Sequence, residues 1–289
     1  MKTVIPIYDI CTITDVKDDE IIISRFSEYS ESYKHLHSPH KHNFYHVVFF
    51  TEGKGNHTID FERFEVMPNQ IYFMAPGQVH SWNFNGTAEG YIINFSASFY
   101  QSFLLRPDYL EQFFFFGGNA QESVIDVPKE IQEQIINAFE TILSEAKGNA
   151  RMKMDIIRIL LLQIFIRISQ LRSENTLHTL DNIYNYTLLN NFKKLIELNY
   201  NRLKLPKEYA ALLYITPNHL NALCQDILGV SAGELIRNRI ILEAKRLLIN
   251  LDLSISEIAY RLNFSDNSYF TKFFKKHVNI TPEEFRKKN

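Results

Sequence analysis

The sequence predicts an α+β protein: a small β-barrel or jelly roll, then a helical hairpin, then a domain made only of helices. Short apolar runs between residues 21 and 95 recur about every 10 residues and are separated by turn signals, as is typical of antiparallel barrels. From residue 128 onward, the apolar positions recur at helical spacing instead. The last third contains N-cap and capping-box patterns, each of which marks the start of a helix.

The strand prediction depends on four segments that are apolar or that alternate between apolar and polar residues. Turn signals follow them, for example Gly53 after the first and Pro76-Gly77 after the third. The four segments are residues 45–50, 57–61, 70–74 and 90–95.

Two amphipathic helices are predicted between residues 128 and 172, because isoleucine and leucine recur there every three or four positions. We expect them to form an antiparallel hairpin or a surface that pairs two subunits. The polar stretch 173–181 is predicted to be a linker, and a helix is predicted over about 182–200. Further helices are predicted over 217–228, 231–249, 254–262, 265–277 and 282–287.

Length and composition indicate an ordinary soluble protein with room for two domains, since 289 residues are 45% hydrophobic and 22% charged. Cys11 and Cys224 lie far apart and fit a reducing cytosol better than a disulfide framework. The N-terminus lacks a long apolar signal core. The longest apolar run, 156–168, is too short and too charged to span a bilayer. We therefore expect a cytoplasmic protein with no membrane partner.

Charge is distributed unevenly along the chain. Residues 193–289 contain 16 Lys and Arg against 10 Asp and Glu, although the whole chain has a net charge of −2. A basic segment attached to an acidic one is expected when only one part of a protein contacts phosphate. Chance clustering on two solvated surfaces is the alternative.

The C-terminal third contains one unit twice. Residues 210–216 align with 259–265, and residues 220–224 align with 270–274, with one extra residue in the turn of the second copy. Each copy reads as two helices joined by a tight turn, and the second copy carries a hydroxyl-rich, basic helix face that suits a major groove. The helix between the copies, about 22 Å long, would hold both near one DNA turn, about 34 Å, apart.

Residues 258–286 resemble the second helix-turn-helix of the AraC/XylS family of bacterial transcription regulators. The linker-helix pattern at 239–248 is similar as well, and the resemblance covers about 203–288. Asn263 departs from the family, which commonly has glycine there, but asparagine tolerates a left-handed turn. Cys224 and Ala222 also depart, which predicts weaker base reading by the first unit.

The resemblance and helix geometry together imply candidate DNA contacts. Asn and Gln can pair with adenine and Lys with guanine, whereas other basic residues suit phosphate. We expect the aromatic residues 269, 270, 273 and 274 to lie in the core. The candidate DNA-binding residues are Asn218, His219, Asn221, Gln225, Arg237, Asn267, Ser268, Thr271, Lys272, Lys275, Lys276 and Arg286.

The N-terminal part resembles a cupin-like sensor domain, because an H-x-H pair at His40 and His42 is followed by Gly53 and by His80. Glu52 is the nearest downstream carboxylate, but its offset from the pair is poor. Sensor cupins of this family commonly lack metal, so we expect no metal and no cofactor. The predicted ligand contacts are His40, His42, Tyr45, Tyr72, His80 and Trp82.

These expectations combine into a ligand-responsive DNA-binding regulator that is not an enzyme. By family resemblance we expect a homodimeric activator that binds double-stranded DNA, a sugar or related metabolite, and RNA polymerase. One alternative is a cupin metalloenzyme fused to a DNA-binding domain; another is a DNA-binding protein whose front domain only dimerises. The predicted domains are the sensor 1–127, the dimerisation segment 128–172, the linker 173–181 and the DNA-binding domain 182–289.

Overall fold

The computed structural model describes residues 5–14, 20–101, 103–104, 109–173, 180–249 and 252–288. The chain divides into two compact units, Pro6–Thr176 and Leu177–Asn289. The first combines two β-sheets with helices and the second is helical, which confirms the predicted α+β class. The predicted linker 173–181 lies mostly outside the described residues. Within the described residues, no helix has the length and apolar character needed to cross a bilayer.

The first unit contains two five-stranded sheets. One has the strand order β1-β3-β8-β5-β6 and the other the order β10-β7-β4-β9-β2. All neighbouring strands are antiparallel except β1 and β3, which are parallel. The strands are β1 Ile7–Tyr8, β2 Ile21–Arg25, β3 His40–His42, β4 Tyr45–Glu52, β5 Gly55–Ile59, β6 Glu62–Val66, β7 Gln70–Met74, β8 Val79–Phe84, β9 Glu89–Phe95 and β10 Val124–Asp126.

The central strands of the second sheet, β4, β7 and β9, are buried on both faces, which explains their long apolar runs. Along β4, Val48 and Phe50 face a core that also contains Trp82 from the first sheet. Val47 and Phe49 point the other way, into a core shared with the helices that follow the barrel. Side chains therefore alternate between two cores along each of these strands.

Two glycines allow strands to approach closely. At Gly55, which has φ of 145°, a Cβ atom would lie 2.4 Å from the carbonyl oxygen of Asn83. At Gly90, with φ of 150°, it would lie 2.0 Å from the carbonyl oxygen of Phe49. Any other residue at these positions would push neighbouring strands apart.

Helices cover the outer face of the second sheet. Phe139 stacks on Phe49 with ring centres 5.7 Å apart. The Arg25 guanidinium donates to Glu140 at 2.7 Å and lies over the Tyr91 ring. These contacts fix the helix that contains Glu140 to the edge of the sheet. The helices of this unit are α1 Ile10–Thr14, α2 Phe26–Ser32, α3 Ser98–Gln101, α4 Lys129–Lys147 and α5 Lys153–Ser173.

The second unit contains seven helices among its described residues. The prediction that one of them covers 265–277 was off by one or two positions. Asp266 is the N-cap, because its carboxylate accepts the backbone N–H of Tyr269 at 2.7 Å, so the helix begins at Asn267. The helices are α6 Leu180–Asn199, α7 Pro206–Leu212, α8 Pro217–Leu228, α9 Ala232–Leu248, α10 Ile255–Arg261, α11 Asn267–Val278 and α12 Pro282–Lys288.

Candidate nucleic-acid interface and buried histidine cluster

The predicted duplication is present in the backbone of the second unit. Helices α7 and α10 each have seven residues, and helices α8 and α11 each have twelve. Both longer helices begin at a capped residue, Thr216 or Asp266, and end at a left-handed one, Gly229 or Asn279. Two helix-turn-helix units therefore share one local geometry, and α9 lies between them in sequence.

The two turns are alike in detail. Tyr214 and Asn263 have φ of 57° and 54°. The residue after each donates its backbone N–H to the residue five positions earlier, at 3.0 Å in the first turn and 2.9 Å in the second. Asparagine accepts the left-handed conformation readily, whereas a tyrosine there is strained. The Tyr214 side chain is 96% exposed, so packing does not offset this strain.

Lys204 connects the start of the first helix-turn-helix unit to the turn of the second. Its ammonium donates to the carbonyl oxygens of Leu262 at 2.9 Å and Asn263 at 2.8 Å, and lies 4.8 Å from the Phe264 ring centre. Charge-assisted bonds of this kind hold the segment before α7 against the turn between α10 and α11.

Helix α11 has the polar outer face that the sequence predicts. Phe270 and Phe274 are fully buried, which sets the rotation of the helix. Thr271 is half-buried, while the other five candidates on this helix are exposed. Tyr269, expected in the core, is instead 55% exposed. The exposed candidates are Asn267, Ser268, Lys272, Lys275 and Lys276.

Helix α8 presents a different face. Asn218, His219 and Gln225 are exposed, and Gln225 donates to the carbonyl oxygen of Gly229 at 3.1 Å. The helix has no Lys or Arg and carries an exposed Asp226. A cleft of about 380 Å³ separates this face from Asn185 of α6.

Two predicted DNA contacts are corrected because they bond within the unit. Asn221 is half-buried and its amide oxygen accepts the Ala232 backbone N–H at 3.1 Å, which satisfies the start of α9. Arg286 donates to the carbonyl oxygens of Leu248 at 3.1 Å and Leu253 at 2.6 Å. The amide oxygen of Asn221 and the Nε and Nη2 of Arg286 therefore already have partners within the fold. Arg237, on α9, is half-buried.

Five histidines lie between the two sheets, and each is at most 3% exposed. His80 is central: its ring centre lies 4.2 Å from that of His40 and 5.0 to 5.2 Å from those of the other three. We call this group the histidine cluster. It consists of His40, His42, His46, His57 and His80.

Hydrogen bonds fix the tautomer of three of the rings. The Nδ1 of His42 lies 2.8 Å from the Phe44 carbonyl oxygen, and the Nδ1 of His40 lies 2.9 Å from that of Ser38. The Nδ1 of His46 lies 2.6 Å from the amide oxygen of Asn94. Because these oxygens only accept, each Nδ1 carries the proton, and the Nε2 of a neutral ring is left with a lone pair.

Burial keeps the rings neutral. It lowers the pKa of His46 to about 3 and that of His40 to about 4. Burial also holds the pKa of His42, His57 and His80 well below the usual histidine value, with a further lowering from neighbouring histidines.

Several nitrogens of the cluster lack a hydrogen-bond partner, which is unusual for buried polar groups. His57 and His80 share one bond at 3.0 Å, between Nε2 and Nδ1. The unpartnered atoms are the Nε2 of His42, His46 and His80, the Nδ1 of His57 and the Nε1 of Trp82.

The predicted ligand residues separate into two groups. Tyr72 and Trp82 face the histidine cluster, with ring centres 5.0 and 5.6 Å from that of His57. Tyr45 is corrected: it is on the other face of β4 and stacks on Phe95 at 5.1 Å. Side chains alternate along a strand, so Tyr45 and His46 point to opposite sides.

His46 and His57 were not among the predicted site residues. Glu52, the carboxylate considered as a partner of the H-x-H pair, lies in an exposed position at the end of β4. Period-two alternation was the available signal, because it puts His46 on the same face as Val48 and Phe50.

Comparison with known proteins agrees with both parts of this geometry. Residues 27–162 match the family described as AraC-like ligand binding domain, and residues 209–288 match the one described as Helix-turn-helix domain. The chain belongs to the AraC family of transcriptional regulators. It has the ligand-binding and DNA-binding domains of that family.

Individual proteins and solved structures match the chain to different extents. Probable transcription factor PqrA of Proteus vulgaris is 44% identical over 68 residues, which are 24% of this chain and 56% of that protein. The HTH-type transcriptional activator RhaR of Mannheimia succiniciproducens is 19% identical over 95% of this chain and 97% of its own. The solved structure of ToxT from Vibrio cholerae is 15% identical and covers 92% of this chain and 97% of that one, with a TM-score of 0.43.

Four of the relatives, PqrA among them, match this chain over only 22% to 56% of their own length. Those matches are confined to 24% to 28% of this chain.

Proposed function

We propose that this AraC-family chain is a sequence-specific, double-stranded DNA-binding transcription regulator that responds to a small effector and has no catalytic role. The observation that carries the proposal is the duplicated helix-turn-helix. Two twelve-residue helices with the same cap geometry and the same preceding turn each expose a polar face, as helices that enter major grooves do.

The two exposed faces suggest a division of roles. On α11, we assign Asn267, Ser268 and Lys272 to base edges, with the half-buried Thr271 beside them. Lys275 and Lys276 are assigned to phosphates, because they lie nearer the end of the helix. On α8, the base contacts are Asn218, His219 and Gln225, and on α9 the half-buried Arg237 contacts phosphate.

The effector site is the interior of the first unit, at the histidine cluster. The resemblance to the family implies a sugar or related metabolite as the effector. Tyr72 and Phe50 are fully buried there and Trp82 is 4% exposed, so aromatic rings already occupy much of the space between the sheets. A small effector that uses the unpartnered ring nitrogens fits this interior better than a large one.

We propose that a second copy of the chain pairs through α5, which extends the predicted dimerisation segment 128–172. The helix buries Leu161 and Phe165 against the sheet but leaves Ile159 52% exposed and Ile166 38% exposed. These isoleucines line an apolar groove together with Leu162. An outward apolar stripe on a helix is typical of a subunit interface.

We further propose a cytoplasmic activator that contacts RNA polymerase. Its support is the full-length similarity to RhaR, which is described as a transcriptional activator. We also propose four segments along the chain: a sensor domain at 1–127, a dimerisation segment at 128–172, a linker at 173–181 and a DNA-binding domain at 182–289.

Selection of duplexes from a random pool by the full-length protein tests this function. We expect one enriched motif with two parts about one helical turn apart. Recovery of a pool without sequence preference, from protein that is folded by circular dichroism, would contradict the proposal.

A further inference from the structure

Lys204 belongs to the first helix-turn-helix unit, where hydrogen bonds hold its backbone in place. Its backbone N–H and that of Leu205 both donate to the Glu208 carboxylate, at 3.0 and 2.8 Å. The hydroxyl of the fully buried Tyr209 donates to the carbonyl oxygen of Leu203 at 2.9 Å. Because Glu208 and Tyr209 are on α7, these bonds make the position of Lys204 follow that of α7.

The Lys204 side chain reaches the second unit at the end of α10. Helix α10 ends at Arg261, and carbonyl oxygens at the end of a helix have no partner within it. The Lys204 ammonium donates to two carbonyl oxygens that follow, those of Leu262 at 2.9 Å and Asn263 at 2.8 Å. A cation is favoured there, since the C-terminal end of a helix carries partial negative charge. The ammonium is partly withdrawn from water, and this burial lowers its pKa.

The turn that accepts these bonds is packed onto α11. Phe264 follows the two carbonyl groups and is 6% exposed, and its ring centre lies 4.8 Å from the Lys204 ammonium. The same ring centre lies 5.2 Å from that of Phe270 and 5.1 Å from that of Phe273, both on α11. Lys204 is therefore coupled, through Phe264, to the helix assigned to base contacts in the second unit.

Two connections thus join α8 and α11. The first is α9, which has 17 residues, is about 25 Å long, and lies between the two units in sequence. The second runs from α7 through Lys204 to the turn before α11. Two bodies joined at one place remain free to rotate about the joint, whereas a second attachment elsewhere removes that freedom. The contacts of Lys204 therefore restrict how α8 and α11 are placed relative to each other.

We propose that Lys204 is a positioning residue that fixes the placement of α8 relative to α11 and so determines which spacing of a two-part DNA site the protein accepts. The assignment rests on the proposed function, because it requires both helices to enter the major groove. Lys204 acts through the turn at Asn263 and needs no contact with DNA. A preset arrangement strengthens binding to a two-part site, because the second helix then meets its part at a high effective concentration.

The dependence of affinity on spacing tests this assignment in the full-length protein. The selected duplex is compared with duplexes in which one or two base pairs are inserted or removed between its two parts, by fluorescence anisotropy at fixed salt. Each base pair turns one part by roughly 35° about the duplex axis. Wild-type protein should bind about tenfold more weakly after a change of one base pair, because α8 then no longer meets its part of the site.

Lys204→Met keeps a side chain of similar length and removes the ammonium. It should bind the original duplex about threefold more weakly than wild type, because the arrangement is no longer preset. A change of one base pair should then cost this variant less than about threefold, because its two helices adjust to the altered spacing.

Lys207→Met is the matched control, because Lys207 is an exposed lysine on α7, three positions further along the chain. It removes the same charge and should keep the wild-type dependence on spacing, whatever its effect on affinity. A role of Lys204 in stability alone would lower the urea midpoint of Lys204→Met and leave the spacing dependence of the folded protein unchanged. That result would overturn the inference.

Wild-type protein alone provides a second test, which does not require any variant to fold. Wild type that selects a sequence but binds duplexes of every spacing equally well would refute the inference and leave the proposed function intact. Wild type without any sequence preference would refute the proposed function, and the inference with it.

Discussion

The two helix-turn-helix units have nearly the same backbone but opposite electrostatic character. Helix α11 carries Lys272, Lys275 and Lys276, all exposed, whereas α8 has no Lys or Arg and an exposed Asp226. The turn before α11 contains a tolerated left-handed asparagine, and the turn before α8 contains a strained tyrosine. Duplication has thus preserved the scaffold while the surface and the turn have diverged.

This difference suggests that the units contribute unequal parts of DNA binding. Lysine ammonium groups release counterions when they meet phosphate, which gives affinity that falls with salt. Neutral Asn, His and Gln groups add hydrogen bonds to bases but little salt-dependent affinity. We therefore expect the second helix-turn-helix unit to supply most of the affinity for DNA. The first helix-turn-helix unit should mainly determine which sequence is selected.

The largest expected effect comes from removing the three lysines of α11 together. Lys272→Ala with Lys275→Ala and Lys276→Ala should weaken DNA binding about 100-fold or more and lower the log–log salt slope by about 2 to 3. The same measurement on Asn218→Ala with His219→Ala and Gln225→Ala in α8 should show about a tenfold loss with the slope unchanged. Fluorescence anisotropy across a salt series distinguishes the two.

The control for this comparison removes three lysines, and so the same charge, from the β-sheet unit. Lys34, Lys54 and Lys129 are exposed there, and their replacement by alanine should leave affinity and slope nearly unchanged. Equal salt slopes for the α8 and α11 variants would contradict the division of roles.

A single substitution sharpens the roles within α11. Lys272→Ala should cost about 1–3 kcal/mol of binding free energy and relax the sequence preference at one position. Lys275→Ala should weaken all sequences about equally. Binding to a panel of single-base operator variants measures both. An unchanged affinity and preference for Lys272→Ala would remove Lys272 from the base contacts.

Asn221→Ala tests whether Asn221, in the first helix-turn-helix unit, supports the fold and does not contact DNA. Loss of the amide that accepts the Ala232 N–H should lower the free energy of unfolding by about 1 kcal/mol and leave the sequence preference unchanged. Asn218→Ala, one turn earlier and exposed, should change preference and not stability. Urea unfolding and the operator panel together decide, and the opposite pattern would restore Asn221 as a base contact.

The smallest effect concerns the two turns. Tyr214→Gly should raise the free energy of unfolding by about 0.5–1 kcal/mol, since left-handed backbone costs an L-residue about 1–2 kcal/mol and glycine is flexible when unfolded. Asn263→Gly should change it by less than about 0.5 kcal/mol, because asparagine already tolerates that conformation. Similar shifts for both, measured by urea unfolding, would show that the strain at Tyr214 is relieved in another way.

Local patterns in the sequence predicted the helical unit well, because caps and turns depend on neighbouring residues. Thr216 with Pro217 marked the start of α8, and Asn263 was expected in the left-handed conformation that it adopts. Asn221 and Arg286 were assigned to DNA because helix periodicity does not show contacts between distant residues. Asn221 accepts the N–H of a residue 11 positions away, and Arg286 donates to carbonyl oxygens 33 and 38 positions away.

In the β-sheet unit, the sequence indicated His40 and His42 as a pair and His80 as their distant partner. It did not show that β4 and β5 add His46 and His57 to the same interior, because that depends on which strands pair within each of the two sheets. Tyr45 was misplaced for the related reason that alternation along β4 was not followed residue by residue.

Hydroxyl-radical footprinting and methylation interference on a selected duplex test the central claim most directly. Two protected backbone segments are expected on one face of the duplex, centred about 10 base pairs apart, each with methylation interference in its major groove. Loss of the α11 lysines should abolish protection of one segment first. A single protected segment, or protection without any major-groove interference, would contradict the insertion of both helices.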